Sequence, residues 1–488
     1  MALTAEQAAS RVNALYAELA SRRPQIKRYE DYHEGRQPLA YSSDEFKKFH
    51  GDRFKGWSDN WCGVVGSAAP ELTEFAGIHL GEDEDDLSSD ERVLLRDWNL
   101  NDGQAQSAQG FLSGAVASRS FALVWGDDND EPVLTWEHAS QAIVGYYDNG
   151  RRRDGLKAWA DDRTEFANLY TPDGLYKFER DLHYVSGQTA SGLHLPPSMS
   201  LEGGWRPREV PGEPWPVRNP MGVVPLVEFP NRPLLGKGPI SDIQGTIAAQ
   251  DAVNLMWAYL FGAADFASHP ARVIMGQEPP MVPVLDGEGQ KVGEKPLDLE
   301  QLKKGRMLYL TGQNTSIGQW DAAKLDVFSG VVDVLVKHIG AQSRTPLNYF
   351  GAMSNINGET LDSLRIPLHN KVRDGQKHLN GPMREVFRLM ALVRGNNAVA
   401  EQCRTATVQW KNPETATDAQ TSDAALKDKQ IGWSAAGILE RRYGMSQQEI
   451  DRELERRRSE ADDPVLSMLS KPGQFTADAS TDGAADAV

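Results

Sequence analysis

The strongest constraint on the fold lies in the second half of the chain, where two helical stretches bracket a segment that cannot be helical. From Pro239 to Phe266 the composition is that of a helix, with Ile240, Ile243, Ile247, Asn254, Trp257 and Phe261 set among Ala, Leu and Met. Pro239 suits a first helical turn, where its missing N–H is not required. His269-Pro270 stops the run. A second helical stretch covers Ala322–Gly340, with Leu325, Val332, Leu335, Val336 and Ile339, and closes at Arg344-Thr345-Pro346. Between them Pro279-Pro280, Gly287, Gly289, Gly293 and Pro296 punctuate short strands, such as 272–275 and 306–309. No internal repeat is visible, which argues against a scaffold built from repeats.

The remaining segments alternate in period. Ala5–Tyr32 is helical, with Val12, Leu15, Tyr16 and Leu19 on one face, and Gly35, Pro38 and Ser42 break it. A helical stretch is expected over Asn60–Phe75, then an acidic loop at Gly81–Asp86, then short helices at Arg92–Trp98 and Ala105–Ala117. At Ser120 the period becomes that of strands. Ser120–Trp125 and Pro132–Trp136 flank a hairpin turn at Gly126-Asp127-Asp128-Asn129-Asp130. Strands follow at 142–147, 156–160, 165–170 and 174–179, and a long irregular loop at 186–222.

Beyond the bracketing helices, 347–357 is a loop and Gly358–Arg394 the longest helical signal. Leu361, Leu364, Leu368, Val372, Leu379, Met383, Val386, Met390 and Val393 step along it by threes and fours, and Pro367 and Gly381-Pro382 predict kinks. Thr405–Trp410 is a strand candidate, 422–462 holds two or three short helices, and 464–488 has the composition of a disordered tail. The fold class is α+β.

Charge and cysteine content narrow the function. The chain of 488 residues carries a formal net charge of -17, so its bulk surface repels nucleic acid rather than holding it by phosphate attraction. Cys62 and Cys403 stand far apart without metal-ligand spacing, which fits a reducing compartment. Residues 1–20 read as an amphipathic helix and not a signal peptide. No apolar run approaches the ~18 residues that span a bilayer, so no membrane association is expected.

Motifs that carry chemistry are not found. Gly287-x-Gly289 with Gly293 has the wrong spacing and context for a dinucleotide fingerprint and reads as a hairpin. There is no phosphate-cradling Gly-Lys-Ser/Thr loop, which argues against a motor. Gly110-x-x-Ser113-Gly114 is one position off a nucleophile elbow and reads as helix packing. The ten histidines show no ligand pairing. The run Glu82-Asp83-Glu84-Asp85-Asp86 lacks the alternation of a calcium loop and reads as solvated, with a divalent cation as the alternative. Asp127, Asp128 and Asp130 read as turn formers, and Trp57, Trp61, Trp98, Trp125, Trp136 and Trp159 as core or interface anchors. No catalytic residue, metal site or cofactor is assigned.

The order of segments resembles the portal protein family of tailed bacteriophages, of the type found in siphophages that include actinobacterial ones. The resemblance runs from about residue 25 to about 460. Its carriers are Tyr29-Glu30-Asp31-Tyr32-His33-Glu34-Gly35-Arg36-Gln37-Pro38-Leu39 and Phe121-Ala122-Leu123-Val124-Trp125-Gly126. Val224-Pro225-Leu226-Val227-Glu228-Phe229 with Asn231, Gly238-Pro239-Ile240-Ser241-Asp242 and Asn357-Gly358-Glu359-Thr360-Leu361 complete the set. Two features depart from the family pattern: Pro367 falls early in its helix, and the last helical region is short.

The resemblance implies a portal fold. Residues 1–238 would be mainly the wing, 239–269 and 322–344 the two stem helices, and 270–321 the clip. Residues 345–357 would hold the tunnel loop, 358–411 the long kinked helix and a wing strand, 412–463 the crown and 464–488 the tail. It further implies a virion protein, assembled in the host cytoplasm, that forms a ring of about twelve copies at one capsid vertex through head-to-tail contacts. Double-stranded DNA would pass through that ring during packaging and ejection. The implied partners are the terminase large subunit, the major capsid and scaffolding proteins, and a head-completion or adaptor protein. The tunnel loop would comprise Asn348, Tyr349, Phe350, Met353, Ser354, Asn355, Ile356 and Asn357. Lys324, Lys337 and Arg344 would be DNA-facing stem cations or, equally, ordinary solvated or inter-subunit charges. The alternatives are another phage head or connector protein, or a metal-dependent nuclease using Asp83, Asp85 and Asp86.

Overall fold

A computed structural model describes residues 2–40, 44, 57–81, 87–161, 163–181, 204–268, 272–275, 281–285, 287, 290–296, 307–310, 325–351, 358–414, 418–445 and 447–462. In chain order these begin with α1 (Ala5–His33), α2 (Trp61–Ala68), β1 (Phe75–His79), α3 (Ser89–Leu100) and α4 (Gly103–Ala117). Strands β2 (Arg119–Gly126), β3 (Pro132–Glu137), β4 (Ala142–Tyr146), β5 (Arg152–Asp161), β6 (Thr164–Tyr170) and β7 (Gly174–Asp181) follow. After β8 (Arg206–Pro207), β9 (Val217–Arg218) and β10 (Leu226–Pro230) comes α5 (Ile247–Ser268). Next are β11 (Arg272–Met275), β12 (Met281–Leu285), β13 (Lys291–Pro296), β14 (Met307–Leu310) and α6 (Asp326–Ser343). The chain continues with α7 (Gly358–Val393), α8 (Asn397–Gln402), β15 (Thr407–Trp410), α9 (Asp418–Gln430), α10 (Ala435–Tyr443) and α11 (Gln447–Asp462). Two compact units result: Met1–Pro24, Ala69–Ile240 and His369–Val488 form one, Gln25–Ala68 and Ser241–Leu368 the other.

The first unit has two cores. In one, β2 is buried from Ser120 to Val124 because it is the middle strand of β10-β2-β3. Helix α4 lies against this sheet, and a Cβ on Gly110 would fall 1.9 Å from Trp136 Nε1, so only glycine lets the indole seat there. The packing role expected of that small-residue stretch is what is found. Phe75 contacts Trp98 and Phe387 with ring centroids 5.0 and 5.4 Å apart, and Met383, Val386 and Met390 of α7 are fully buried beside them. The hairpin turn is built by Asp127, whose Oδ1 accepts the N–H groups of Asn129 and Glu131 at 2.8 Å each.

The acidic loop at 81–86 is tied at its base by one carboxylate. Ser88 caps α3 by accepting the Glu91 N–H at 3.2 Å, while Glu91 accepts the Ser88 and Leu80 N–H groups at 2.6 Å each. Burial pushes the Glu91 carboxyl up, but the His79 ring 3.7 Å away and the hydrogen bonds from Leu80 and Ser88 outweigh it and hold it at about 2. Residues 82–86 themselves lie outside the described residues.

The second core packs Ala8, Val12, Leu15 and Leu19 of α1 on Ile143, Leu156, Leu169, Tyr176 and Phe178 of a six-stranded sheet, β4 to β8 with β9 beside β7. A buried ion pair fixes the helix on the sheet. Arg180 bonds Glu165 with two N–H groups, and its guanidinium stacks 4.3 Å from the Tyr16 ring and 4.0 Å from Trp205. Tyr16 Oη donates to the same carboxylate at 2.7 Å.

The second unit is α5 and α6 packed along each other, with α2 and the last third of α1, from Gln25, against them. Between the two helices β11 and β14 pair in parallel, and β12 and β13 form an antiparallel hairpin. Gly287 and Gly293 are hairpin residues, as their spacing suggested, and Gly289 lies outside the described residues.

Three expectations are corrected. The helix expected from Pro239 begins at Ile247, because Ile240 N–H bonds Asn231 O at 3.0 Å and Ser241–Thr246 fold into successive turns. The helix expected over Asn60–Phe75 ends at Ala68: a 3-10 turn containing Pro70 intervenes, and Phe75 opens β1, which pairs with β15. Of the irregular loop expected at 186–222, the described part is tethered to β7, through β8, β9 and Trp215 Nε1 donating to Lys177 O at 2.8 Å. Helix α7 runs unbroken through Pro367 and Gly381-Pro382, the positions where the sequence places kinks, each proline removing one rung of its ladder.

Arg180→Met strands Glu165 in the second core with only Tyr16 and the more distant Arg23. The expected loss is roughly 3 kcal/mol, read as a lower denaturation midpoint. Arg180→Lys is expected to recover only part of it, since an ammonium cannot both fork onto Glu165 and stack on two rings.

Candidate functional site

Within the second unit, the chemistry of α5 sets what the site is. Thr246, Gln250, Asn254, Trp257 and Phe261 recur every three or four positions and so share one stripe, polar at its start and aromatic further on. The segment 57–62 lies along that stripe. Gln250 Oε1 accepts the N–H groups of Trp61 (2.8 Å) and Cys62 (3.2 Å), and its Nε2 donates to Asp59 O. Asn254 Oδ1 accepts the Asp59 N–H at 3.1 Å and its Nδ2 donates to Ser58 Oγ at 3.1 Å. Asp59 Oδ2 accepts both indole N–H groups, Trp61 at 3.0 Å and Trp257 at 2.8 Å. Gln250 thus caps the free N–H groups at the start of α2 from another helix.

The same clasp reaches α1. Asn60 donates to His33 O at 2.6 Å, and a Cβ on Gly63 would come within 2.9 Å of that oxygen, so glycine permits the approach. Tyr29 donates to Gln244 at 2.9 Å and Tyr32 to Asp251 at 2.7 Å. Burial raises the Asp251 carboxyl, with the Tyr32 hydrogen bond opposing it. Trp57, Trp257 and Phe261 add an aromatic cluster with centroids 5.3–6.4 Å apart. Burial pushes the Cys62 thiol up to about 12, and burial does the same to Cys403 in the first unit. Neither thiol is an activated nucleophile. The arrangement is a clasp in which side chains of α5 hold the backbone of residues 59–62.

Helix α6 buries Val332, Val336, Ile339, Gly340 and Ser343. After it, Ser343 Oγ donates to Ile339 O at 2.8 Å and the Thr345 N–H bonds Gly340 O at 3.0 Å, with Arg344 in the left-handed region. A Cβ on Gly340 would meet Leu347 Cδ2 at 2.9 Å and Phe350 Cε2 at 3.2 Å, so this glycine lets the 3-10 turn Leu347–Phe350 fold back on α6. Phe350, expected in the loop, is instead buried with its ring 5.3 Å from Trp61, because the turn places it against α2. Asn348 is half-buried and Tyr349 exposed. Lys337 and Arg344 are exposed. Lys324, Met353, Ser354, Asn355, Ile356 and Asn357 lie outside the described residues.

Three features of this unit escaped the local sequence pattern: the caps provided by Gln250, the role of Asp59, and an apolar stripe on the open face of α6. Val327, Val331 and Val334 are 62, 41 and 51% exposed. The signal for the first was present as two amides four residues apart in an otherwise apolar helix. Among the described residues no group of three or more His, Cys, Asp or Glu is placed to hold a metal ion, and no helix is long and apolar enough to cross a membrane.

The family described as "Phage portal protein, SPP1 Gp6-like" matches residues 76–463. The portal protein of Mycobacterium phage L5 is 25% identical over 389 residues, which cover 73% of this chain and 69% of that protein. The portal protein of Mycobacterium phage D29 is 24% identical over 379 residues, with the same coverage of 73% and 69%. A solved chain from the virion of a native gene transfer agent particle aligns over 84% of this chain and 89% of its own, at 11% identity and a TM-score of 0.38.

Gln250→Leu keeps the volume of the clasp but leaves the Trp61 and Cys62 N–H groups and the Asp59 carbonyl without their partner. The expected cost is roughly 2–4 kcal/mol, seen as a lowered denaturant midpoint and faster hydrogen exchange at those two amides.

Proposed function

The chain belongs to the SPP1 Gp6-like family of phage portal proteins, and from that premise we propose how its parts divide the work. A portal protein is a structural component of the virion, the ring at one capsid vertex through which double-stranded DNA is packaged and ejected. In this reading 1–238 is mainly the wing, 239–269 and 322–344 are the stem, 270–321 the clip, 358–411 the kinked helix with its wing strand, and 412–463 the crown. The observation that carries the reading is the helix pair α5 and α6, joined by a strand-bearing insertion within one compact unit.

Stem helices in a ring bury one face within the subunit and another against a neighbour. This accounts for α5, where Leu255, Met256, Tyr259 and Leu260 are only half-buried in the lone chain, and for the exposed valines of α6. The clasp of Gln250, Asn254 and Asp59 sets the angle of α5 before assembly. No catalytic step is assigned to the chain; the energy for packaging comes from a terminase that docks on the ring, and a head-completion protein takes its place on the clip afterwards. Capsid and scaffolding proteins meet the ring during assembly in the host cytoplasm.

Charge gives the conduit its mechanics. A cationic groove would hold duplex DNA, whereas a ring of chains at -17 each repels the backbone and keeps it centred. Lys324, Lys337 and Arg344 supply brief phosphate contacts. The DNA-facing part of the tunnel loop then follows the buried Phe350 and touches DNA weakly and sterically, leaving the 3-10 turn at Gly351, whose φ of +140° favours glycine.

Deletion of residues 351–356 is expected to impair DNA packaging or retention while leaving assembly of the ring intact. DNA content of heads from a complemented phage checks this, and full genomes in the mutant heads contradict the role given to the loop.

A further inference from the structure

Between β10 and α5 the chain forms a closed loop, 231–240. Its neck is pinched twice by one residue pair: Ile240 N–H bonds Asn231 O at 3.0 Å, and Asn231 Nδ2 donates to Ile240 O at 2.8 Å. Its base is anchored by Asn231 N–H on Ser118 O at 2.9 Å. At the tip, Lys237 N–H bonds Leu234 O at 3.0 Å, with Gly236 at φ +71°. The loop is a shaped knob, and what it presents is apolar. Leu234 is 49% exposed and Leu235 fully exposed, with Arg232 and Lys237 on either side and no acidic residue from 231 to 240. Two solvated leucines on a loop closed by its own hydrogen bonds mark a docking element.

A surface of matching chemistry lies on α6. Val327, Gly330, Val331 and Val334 stand at i, i+3, i+4 and i+7, the four corners of a hole that accepts a side chain from a facing element. Gly330 is exposed and nothing lies within 4 Å of where its Cβ would be. Glycine inside a helix costs about 1 kcal/mol relative to alanine, and here it leaves the hole open. Asp326 and Asp333, both exposed, flank the valines. One surface is apolar and cationic, the other apolar and acidic.

We propose that the Leu234-Leu235 knob of one copy seats in the Val327–Val334 hole of the next, with Lys237 facing the aspartates. The contact is heterologous, the kind that closes a ring, and it rests on the ring reading given above. A mixture of two full-length single variants, Leu235→Cys and Val331→Cys, is expected to form disulfide-linked dimers under mild oxidation, with neither variant doing so alone. The native Cys62 and Cys403 are both buried and free. Leu235→Ser and Gly330→Leu are each expected to weaken self-association roughly tenfold or more. Gly330→Leu improves helix propensity, so its denaturation midpoint is expected to be unchanged or raised, which separates an assembly defect from a folding defect. Wild-type rings together with unaltered assembly of both variants and no cross-link would overturn the contact while leaving the ring reading in place. A wild-type chain that stays monomeric would overturn both.

Discussion

A helix made mainly of Ala, Leu, Met and aromatic residues has no strong preference for which face it buries. In α5 that choice is made by Gln250 and Asn254, which sit four residues apart and take up backbone groups of Asp59, Trp61 and Cys62 that would otherwise lie unpaired. Rotating the helix would leave those groups without partners, at a cost of about 1–3 kcal/mol each. The apolar remainder of α5 is then free to meet α6 on one side and stay half-exposed on the other. Everything proposed for the stem depends on that orientation.

The same logic of close approach recurs at the end of α6. Gly340 lets the 3-10 turn fold back, Phe350 is held on Trp61, and Arg344 adopts the left-handed conformation that ends the helix. The chain that continues towards the proposed tunnel loop therefore leaves from a fixed point. In the function proposed, a loop that lets DNA slide needs a rigid root more than a strong grip, and the acidic chain supplies little grip.

Local periodicity made much of this legible. Val12, Leu15 and Leu19 announced α1, the Asp-rich turn announced β2 and β3, and the proline- and glycine-marked insertion announced strands between two helices. The helix start at Ile247 was not legible, because Pro239 looks like a first-turn residue and only the distant Asn231 reveals that Ile240 is held elsewhere. Strand β10 was hidden by Pro225 and becomes a strand through its pairing with β2. For the candidate site, Asn254 and Trp257 were visible as helix residues, but their partner Asp59 lies almost two hundred residues away. Period and propensity report on neighbours in sequence, and the clasp is made between strangers in sequence.

The central claim is that copies of this chain close into a ring around a channel. Negative-stain electron microscopy of the purified full-length protein tests it directly. The account predicts closed rings with a central hole wide enough for duplex DNA, about 20 Å. Uniform monomers, or open chains that never close, would contradict it.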